Sequence, residues 1–451
     1  MKAVSIRHRI WIIGAVGVLI VGAVIAWVML PPRALSFAGG NTVTLSSYRG
    51  ASPSGVPAEL HSADLVTRGK YLSEAADCEV CHTAEGGRPF AGGRAFRTPF
   101  GVLYSPNITA DPETGIGTWT EEDFIAAIHK GIAKNGARLY PAFPYESYTL
   151  LEDADVRAIK AYIFSLPVAR VRSPPNGLKF PFNQRWLMGV WSAFYNPDQR
   201  FRPLTDRTDE WNRGAYLVEG LAHCGDCHTP RNLAQALDNR RKFEGTVIGA
   251  WAAYNITQDP ISGVGEWSDA ELIDYLHAGH AVARGAAGGP MAEVIDASLS
   301  NLLPADIRAI VTYLRSIPAI RTRDLAAPKA SPASDMPKRM NAAADPRGEQ
   351  IFAGSCTSCH GWSGVSPLTS DATLIGDRAV NDASAVNVAQ MILSGANRRT
   401  PQGLVFMPAF GSAYSDTEIA AVANYVTSRF GATPSHLTAR DIAEFRRLSS
   451  Q

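Results

Sequence analysis

Six cysteines occur in the 451-residue chain, and all six fall into one repeated pattern. Cys78-Glu79-Val80-Cys81-His82, Cys224-Gly225-Asp226-Cys227-His228 and Cys356-Thr357-Ser358-Cys359-His360 each place a histidine directly after the second thiol. This spacing is the attachment signal for a covalently bound haem. Each thiol adds to one haem vinyl group, and the histidine reaches the iron from the proximal side. A zinc ribbon needs paired C-x-x-C units brought together, which three far-separated copies do not all supply. A disulfide framework would not put a histidine after every second cysteine. The cofactor expectation is therefore three haem c groups, with His82, His228 and His360 as axial ligands.

An electron-transfer haem commonly takes a second axial ligand, and a methionine thioether raises its potential. Of the eight methionines, two sit well for this: Met291, in Gly289-Pro290-Met291-Ala292, and Met407, in Met407-Pro408-Ala409-Phe410. Met188 and Met391 lie inside apolar runs and read as packing. The first motif has no such partner. The residue 148 positions before Met291 is Phe143, in Tyr140-Pro141-Ala142-Phe143-Pro144-Tyr145, and no methionine lies between Met29 and Met188. A phenyl ring cannot ligate iron, so the first haem is either five-coordinate or uses an unusual ligand. His129 reads as a surface or propionate-side residue, because its repeat partner His277 coexists with Met291. Tyr140, Tyr145, Lys130 and Lys134 are weaker candidates.

The elements that must position these groups repeat as well. Arg68-Gly69-Lys70-Tyr71-Leu72, Arg213-Gly214-Ala215-Tyr216-Leu217 and Arg347-Gly348-Glu349-Gln350-Ile351 each read as a helix ending before a cysteine pair. Each unit closes with apolar residues at helical spacing, over 153–166, 305–317 and 417–430. Thr120 with Asp123, and Ser268 with Glu271, carry the spacing of a capping box. The first two units align without a gap: Asn107-Ile108-Thr109, Asp111-Pro112, Trp119 and His129 precede Asn255-Ile256-Thr257, Asp259-Pro260, Trp267 and His277 by 148 positions throughout. This predicts three small helical domains over 64–167, 206–318 and 346–431, joined by linkers at 168–205 and 319–345. The first linker is rich in aromatics and the second in Ala, Pro, Ser and Lys. A basic pattern from Arg440 to Arg447 reads as a solvated terminal helix.

Residues 10–30 form 21 positions without a charge, about 31 Å as a helix and close to a bilayer's hydrocarbon thickness. Lys2, Arg7 and Arg9 precede the run, which predicts a retained single-pass helix with the remainder exported. Small residues after it, such as Ser36-Phe37-Ala38, leave a cleaved signal as the alternative. Either way the haem domains are expected on the periplasmic side of the cytoplasmic membrane. With 43 basic against 42 acidic residues, the charge does not point to nucleic acid.

From about residue 64 to 431 the chain resembles the triheme cytochrome c subunits of bacterial membrane-bound dehydrogenases. The resemblance rests on the three haem motifs, the two N-I-T-x-D-P segments followed by G-x-G-x-W, Y-P-A-x-P-Y at 140–145 and M-P-A-F at 407–410. It implies an all-α chain of three tandem class I-type cytochrome c domains after one transmembrane helix. It also implies a relay without substrate chemistry of its own. Electrons would come from an alcohol-, aldehyde- or gluconate-type dehydrogenase subunit holding a molybdenum, quinone or flavin centre, and leave to ubiquinone or an oxidase. Family members serving alcohol dehydrogenases read Y-P-A-M-P-Y at the first haem, and Phe143 departs from that. A haem enzyme built on an open first haem, or a cytochrome subunit of a terminal oxidase, are the competing readings.

Overall fold

The computed structural model describes residues 31–323, 325–329, 345–400 and 403–449, together with positions 11, 16, 22, 27, 29 and 30. Three helix pairs organise it. In unit 1, α1 (Leu65–Ala75) leads into the haem-motif turn α2 (Cys78–His82), the hairpin β1 (Ala95–Thr98) and β2 (Gly101–Tyr104), and α3 (Glu121–Lys130). A turn, α4 (Tyr145–Tyr148), then precedes the closing helix α5 (Asp153–Ser165). The segment 168–205 carries β3 (Gly177–Leu178), which pairs with β2, and α6 (Trp186–Tyr195), and it buries Phe201 and Leu204.

Unit 2 repeats the order. It comprises α7 (Asp209–Tyr216), α8 (Gly225–His228), β4 (Thr246–Ile248), β5 (Trp251–Ala253) and α9 (Asp269–Ala278), then β6 (His280–Ala281), β7 (Gly285–Ala286), α10 (Gly289–Ala297) and closing α11 (Pro304–Leu314). Unit 3 has α12 (Pro346–Ile351), α13 (Thr357–His360), α14 (Val386–Ser394), β8 (Ala396–Thr400), β9 (Gly403–Met407), closing α15 (Asp416–Phe430) and α16 (Ala439–Ser449).

The first and closing helices of every unit, α1 with α5, α7 with α11 and α12 with α15, cross at a glycine. A Cβ added at Gly69, Gly214 or Gly348 would collide with the carbonyl of Ala158, Ala309 or Ala421 respectively. Backbone therefore packs on backbone at each crossing, which only glycine permits. The expected capping boxes at Thr120/Asp123 and Ser268/Glu271 form, and a third forms at Ser415/Glu418. Each satisfies orphan N–H groups at a helix start.

The expectation of an all-α chain is overturned. Four small antiparallel sheets stand beside the helices. Their strands have at most five residues, too few for an alternating apolar pattern to stand out in the sequence. The transmembrane expectation is corrected too: among the described residues no helix is long and apolar enough to cross a membrane. The longest, α15, has 15 residues and spans about 22 Å, against about 30 Å of bilayer hydrocarbon. Most of the 10–30 run lies outside the described residues, as do residues 330–344 of the second linker. The terminal helix α16 is not merely solvated. It buries Ile442 against unit 3, and Arg446 pairs with Asp416 at 2.9 Å.

Candidate haem-attachment sites

Each C-x-x-C-H segment is a short helical turn whose histidine is held in the same way. The Nδ1 of His82, His228 and His360 lies 2.9, 2.6 and 2.6 Å from the carbonyl oxygens of Pro106, Tyr254 and Ala372. A carbonyl can only accept, so Nδ1 carries the proton and Nε2 keeps its lone pair. Such a hydrogen bond orients an imidazole towards a metal and raises its basicity as a ligand. Burial lowers the pKa of all three rings, holding them neutral as ligation requires.

The carbonyls are themselves fixed. Pro106 and Tyr254 immediately precede the Asn-Ile-Thr segments. Asn107 Nδ2 donates to the Ala169 carbonyl at 2.6 Å, and Asn255 Nδ2 to the Ile320 carbonyl at 2.6 Å. Each Asn side-chain oxygen accepts the N–H two residues on, from Thr109 at 2.9 Å and Thr257 at 2.8 Å. The motif thus staples the histidine-orienting loop to the chain that follows the closing helix. The sequence showed the motif but not this role.

None of the six cysteines is paired in a disulfide, and burial pushes the thiols of Cys78, Cys81 and Cys224 up to about 12. Among the described residues no three His, Cys, Asp or Glu side chains converge as a metal site. In unit 3, Cys356 and Met407 line one cavity, walled by Ile351, Ile392, Phe410 and Val422. In unit 2, Met291 opens α10 and packs against the same apolar core as Cys224.

Unit 1 follows unit 2 closely up to its distal loop. Gly131 and Gly279 both end a helix in the left-handed region. The bridge Ile132–Arg138 matches the pairing of His280 with Ala286. Leu139 N–H donates to the Gly131 carbonyl at 2.8 Å, as Ala287 N–H does to that of Gly279 at 2.7 Å. Every one of these pairs keeps the 148-residue offset. Four residues further on stand Phe143 and Met291. Phe143 sets its ring edge-on to Tyr148 at 5.4 Å, and the Tyr148 hydroxyl donates to the Ala76 carbonyl beside the first motif at 2.6 Å.

His129 is not a surface residue: it is fully buried, 3.7 Å from Asp153. Burial and the nearby Arg200 push its pKa down to about 4. Lys130 pairs with Asp198 at 2.9 Å, Lys134 donates to the Thr118 carbonyl, and Tyr140 lies under the Arg185 guanidinium. Tyr145 is buried against Trp191. None of these pairings involves the first haem motif.

The first and second motifs are neighbours. Arg94 donates to the Val80 carbonyl inside the first motif at 3.0 Å and pairs with Glu293 on α10 at 2.6 Å. Tyr148 also meets His223, the residue before Cys224, edge-on at 5.4 Å. Unit 3 reaches unit 2 through Arg398, which is buried and pairs with Asp296 on α10 at 2.7 Å. The helix that bears Met291 therefore touches both other units. Arg94, Glu293, Tyr148 and Arg398 belong to no motif, and sequence reasoning missed them.

The fold and donor set define a c-type cytochrome. The cytochrome c family model matches residues 66–167 and 346–429. That is two domains, corresponding to units 1 and 3, where three were expected. The chain is 38% identical over 438 residues to the fructose dehydrogenase cytochrome subunit of Gluconobacter japonicus, covering 92% of this chain and 90% of that protein. It is 35% identical over 401 residues to the gluconate 2-dehydrogenase cytochrome c subunit of Pantoea cypripedii, covering 85% and 90%. A nicotinate dehydrogenase subunit of Pseudomonas putida is 39% identical over 375 residues; the match takes in 82% of this chain but 31% of that longer protein. The chain belongs to the cytochrome c subunits of dehydrogenases.

Proposed function

We propose that the chain carries three haems c and conducts electrons away from a dehydrogenase catalytic subunit. Cys78/Cys81, Cys224/Cys227 and Cys356/Cys359 would hold the haems, with His82, His228 and His360 as proximal ligands. Met291 and Met407 would be the distal ligands of the second and third. The observation that carries this reading is the threefold recurrence of a Cys-x-x-Cys turn whose histidine gives its Nδ1 proton to a backbone carbonyl. It recurs in unit 2, outside the segments that the family model matches.

Haem supplies one-electron transfer. The protein's part is to fix each imidazole, exclude water with an apolar wall and set potential through the distal residue. The partner would be a molybdenum, quinone or flavin dehydrogenase subunit, and the acceptor ubiquinone or a terminal oxidase. The haem units would lie on the periplasmic side of the cytoplasmic membrane. The names of the fructose and gluconate dehydrogenase relatives support a dehydrogenase partner.

Intact mass of the protein matured with its haems should show three covalent haems, and C224A/C227A should show two. Two haems in both the wild type and C224A/C227A would remove unit 2 from the relay. Met407→Ala should abolish the sulfur-to-iron charge-transfer absorption of one haem and lower its potential; an unchanged spectrum would show that another group ligates there. Purified with its catalytic subunit, the cytochrome should be reduced on addition of that subunit's substrate.

A further inference from the structure

We propose that the haem of unit 1 has no protein ligand opposite His82 and is the site where this protein binds small neutral diatomic molecules such as carbon monoxide. The inference rests on the haem assignment above and concerns what unit 1 withholds. Units 1 and 2 keep one register through their helix ends, their bridges and the bond from Leu139 or Ala287, so Phe143 occupies the place of Met291. A phenyl ring fills the volume of a thioether but offers no lone pair.

The nearby donors make their contacts away from the first motif. Neither ring nitrogen of His129 has a hydrogen-bond partner, but the ring is buried with its Nδ1 3.7 Å from Asp153 at the start of α5, not against the first motif. Lys130 and Lys134 are engaged with Asp198 and the Thr118 carbonyl. The Tyr148 hydroxyl is committed to the Ala76 carbonyl at 2.6 Å, and burial raises its pKa well above the ordinary value, so no phenolate is available. Burial pushes Tyr145 up to about 12, with the same consequence. Phe143, Tyr145 and Tyr148 make an aromatic wall with ring contacts of 5.4 and 6.5 Å. A wall of this kind stabilises no bound anion, which selects for an uncharged ligand.

The test uses the haem-loaded full-length protein, with haem number first counted by intact mass. In the reduced state one haem of three should take up carbon monoxide by optical difference spectrum. The oxidised protein should show one high-spin signal by low-temperature EPR. Phe143→Met should remove both signatures and add one sulfur-to-iron charge-transfer band, while Phe143→Ala should bind carbon monoxide faster than wild type. Three low-spin signals with no carbon monoxide uptake would overturn the inference and leave the haem assignment standing. A mass lacking a haem on Cys78 and Cys81 would overturn both. Carbon monoxide uptake that persists in Phe143→Met would place the open haem in another unit and equally defeat the proposal.

Discussion

Units 1 and 2 share one apolar core, whereas unit 3 keeps its own. The same helix crossing underlies all three, so the difference lies in what surrounds it. In unit 1, the Tyr71 hydroxyl reaches across to Asp306 of unit 2 at 2.7 Å; in unit 2, the Tyr216 hydroxyl reaches back to Asp155 of unit 1 at 2.6 Å. Each tyrosine oxygen also accepts a backbone N–H of the opposite unit, from Leu303 and Glu152. Residues 53–55 sit between the two. The carbonyls of Pro53 and Gly55 take Arg213, and the Gly55 N–H donates to Asp155. In unit 3 the matching positions are Gln350, which is exposed, and Glu418, which caps its own helix through Ser415. Unit 3 therefore lacks both partners of the reciprocal bonds that join units 1 and 2.

The largest effect that could break this contrast is expected at Asp306. It receives two hydrogen bonds from Arg213, at 2.8 and 2.6 Å, in addition to Tyr71; Asp306 is buried and the Arg213 side chain is only 12% exposed. Removing one member of such a pair leaves the other charge uncompensated, so Asp306→Ala should cost about 3–5 kcal/mol. Glu418→Ala, at the matching position of unit 3, should cost only about 1 kcal/mol as a lost cap. Denaturant unfolding of the haem-loaded protein compares the two, and equal losses would erase the distinction between paired and appended units. Next, Tyr71→Phe should cost about 1.5–3 kcal/mol, as expected for a hydrogen bond to a buried charge. Gln350→Tyr should change stability by less than about 0.5 kcal/mol, because the new hydroxyl meets solvent.

How far the sequence discloses this arrangement depends on the range of each interaction. The capping boxes were legible because Thr120 and Asp123 lie three residues apart, and the helix pairs because apolar spacing is local. Phe143 was legible through a repeat without gaps. The reciprocal bonds were not: Tyr71 and Asp306 are 235 residues apart, and a tyrosine followed by leucine at the end of a helix looks like ordinary core. The surface alternative for His129 failed because the aspartate, arginine and asparagine around it arrive from α5 and residues 196–200. The crossing glycines stood in plain view in each Arg-Gly pair. Only the packed backbone shows why nothing larger fits there.

The smallest expected effect tests the seam between units 2 and 3. Asp377 lies against Gly285 of β7, accepts the Ala379 N–H at 2.7 Å, and is pushed by burial up to about 6. A carboxyl raised in the folded state binds its proton more tightly there than in the unfolded chain. Its contribution to stability is therefore full below the ordinary carboxylate range and declines as pH rises through about 6. Asp377→Asn keeps an oxygen for the Ala379 N–H and removes the titration. Because the side chain is partly exposed, the decline that vanishes should be on the order of 1 kcal/mol. Denaturant unfolding of wild type and variant from pH 4 to 7 should give curves that diverge with rising pH, the variant becoming the more stable. Parallel curves would mean that Asp377 stays ionised at the seam, and that Arg398 with Asp296, rather than the protonated Asp377 carboxyl, governs how unit 3 docks.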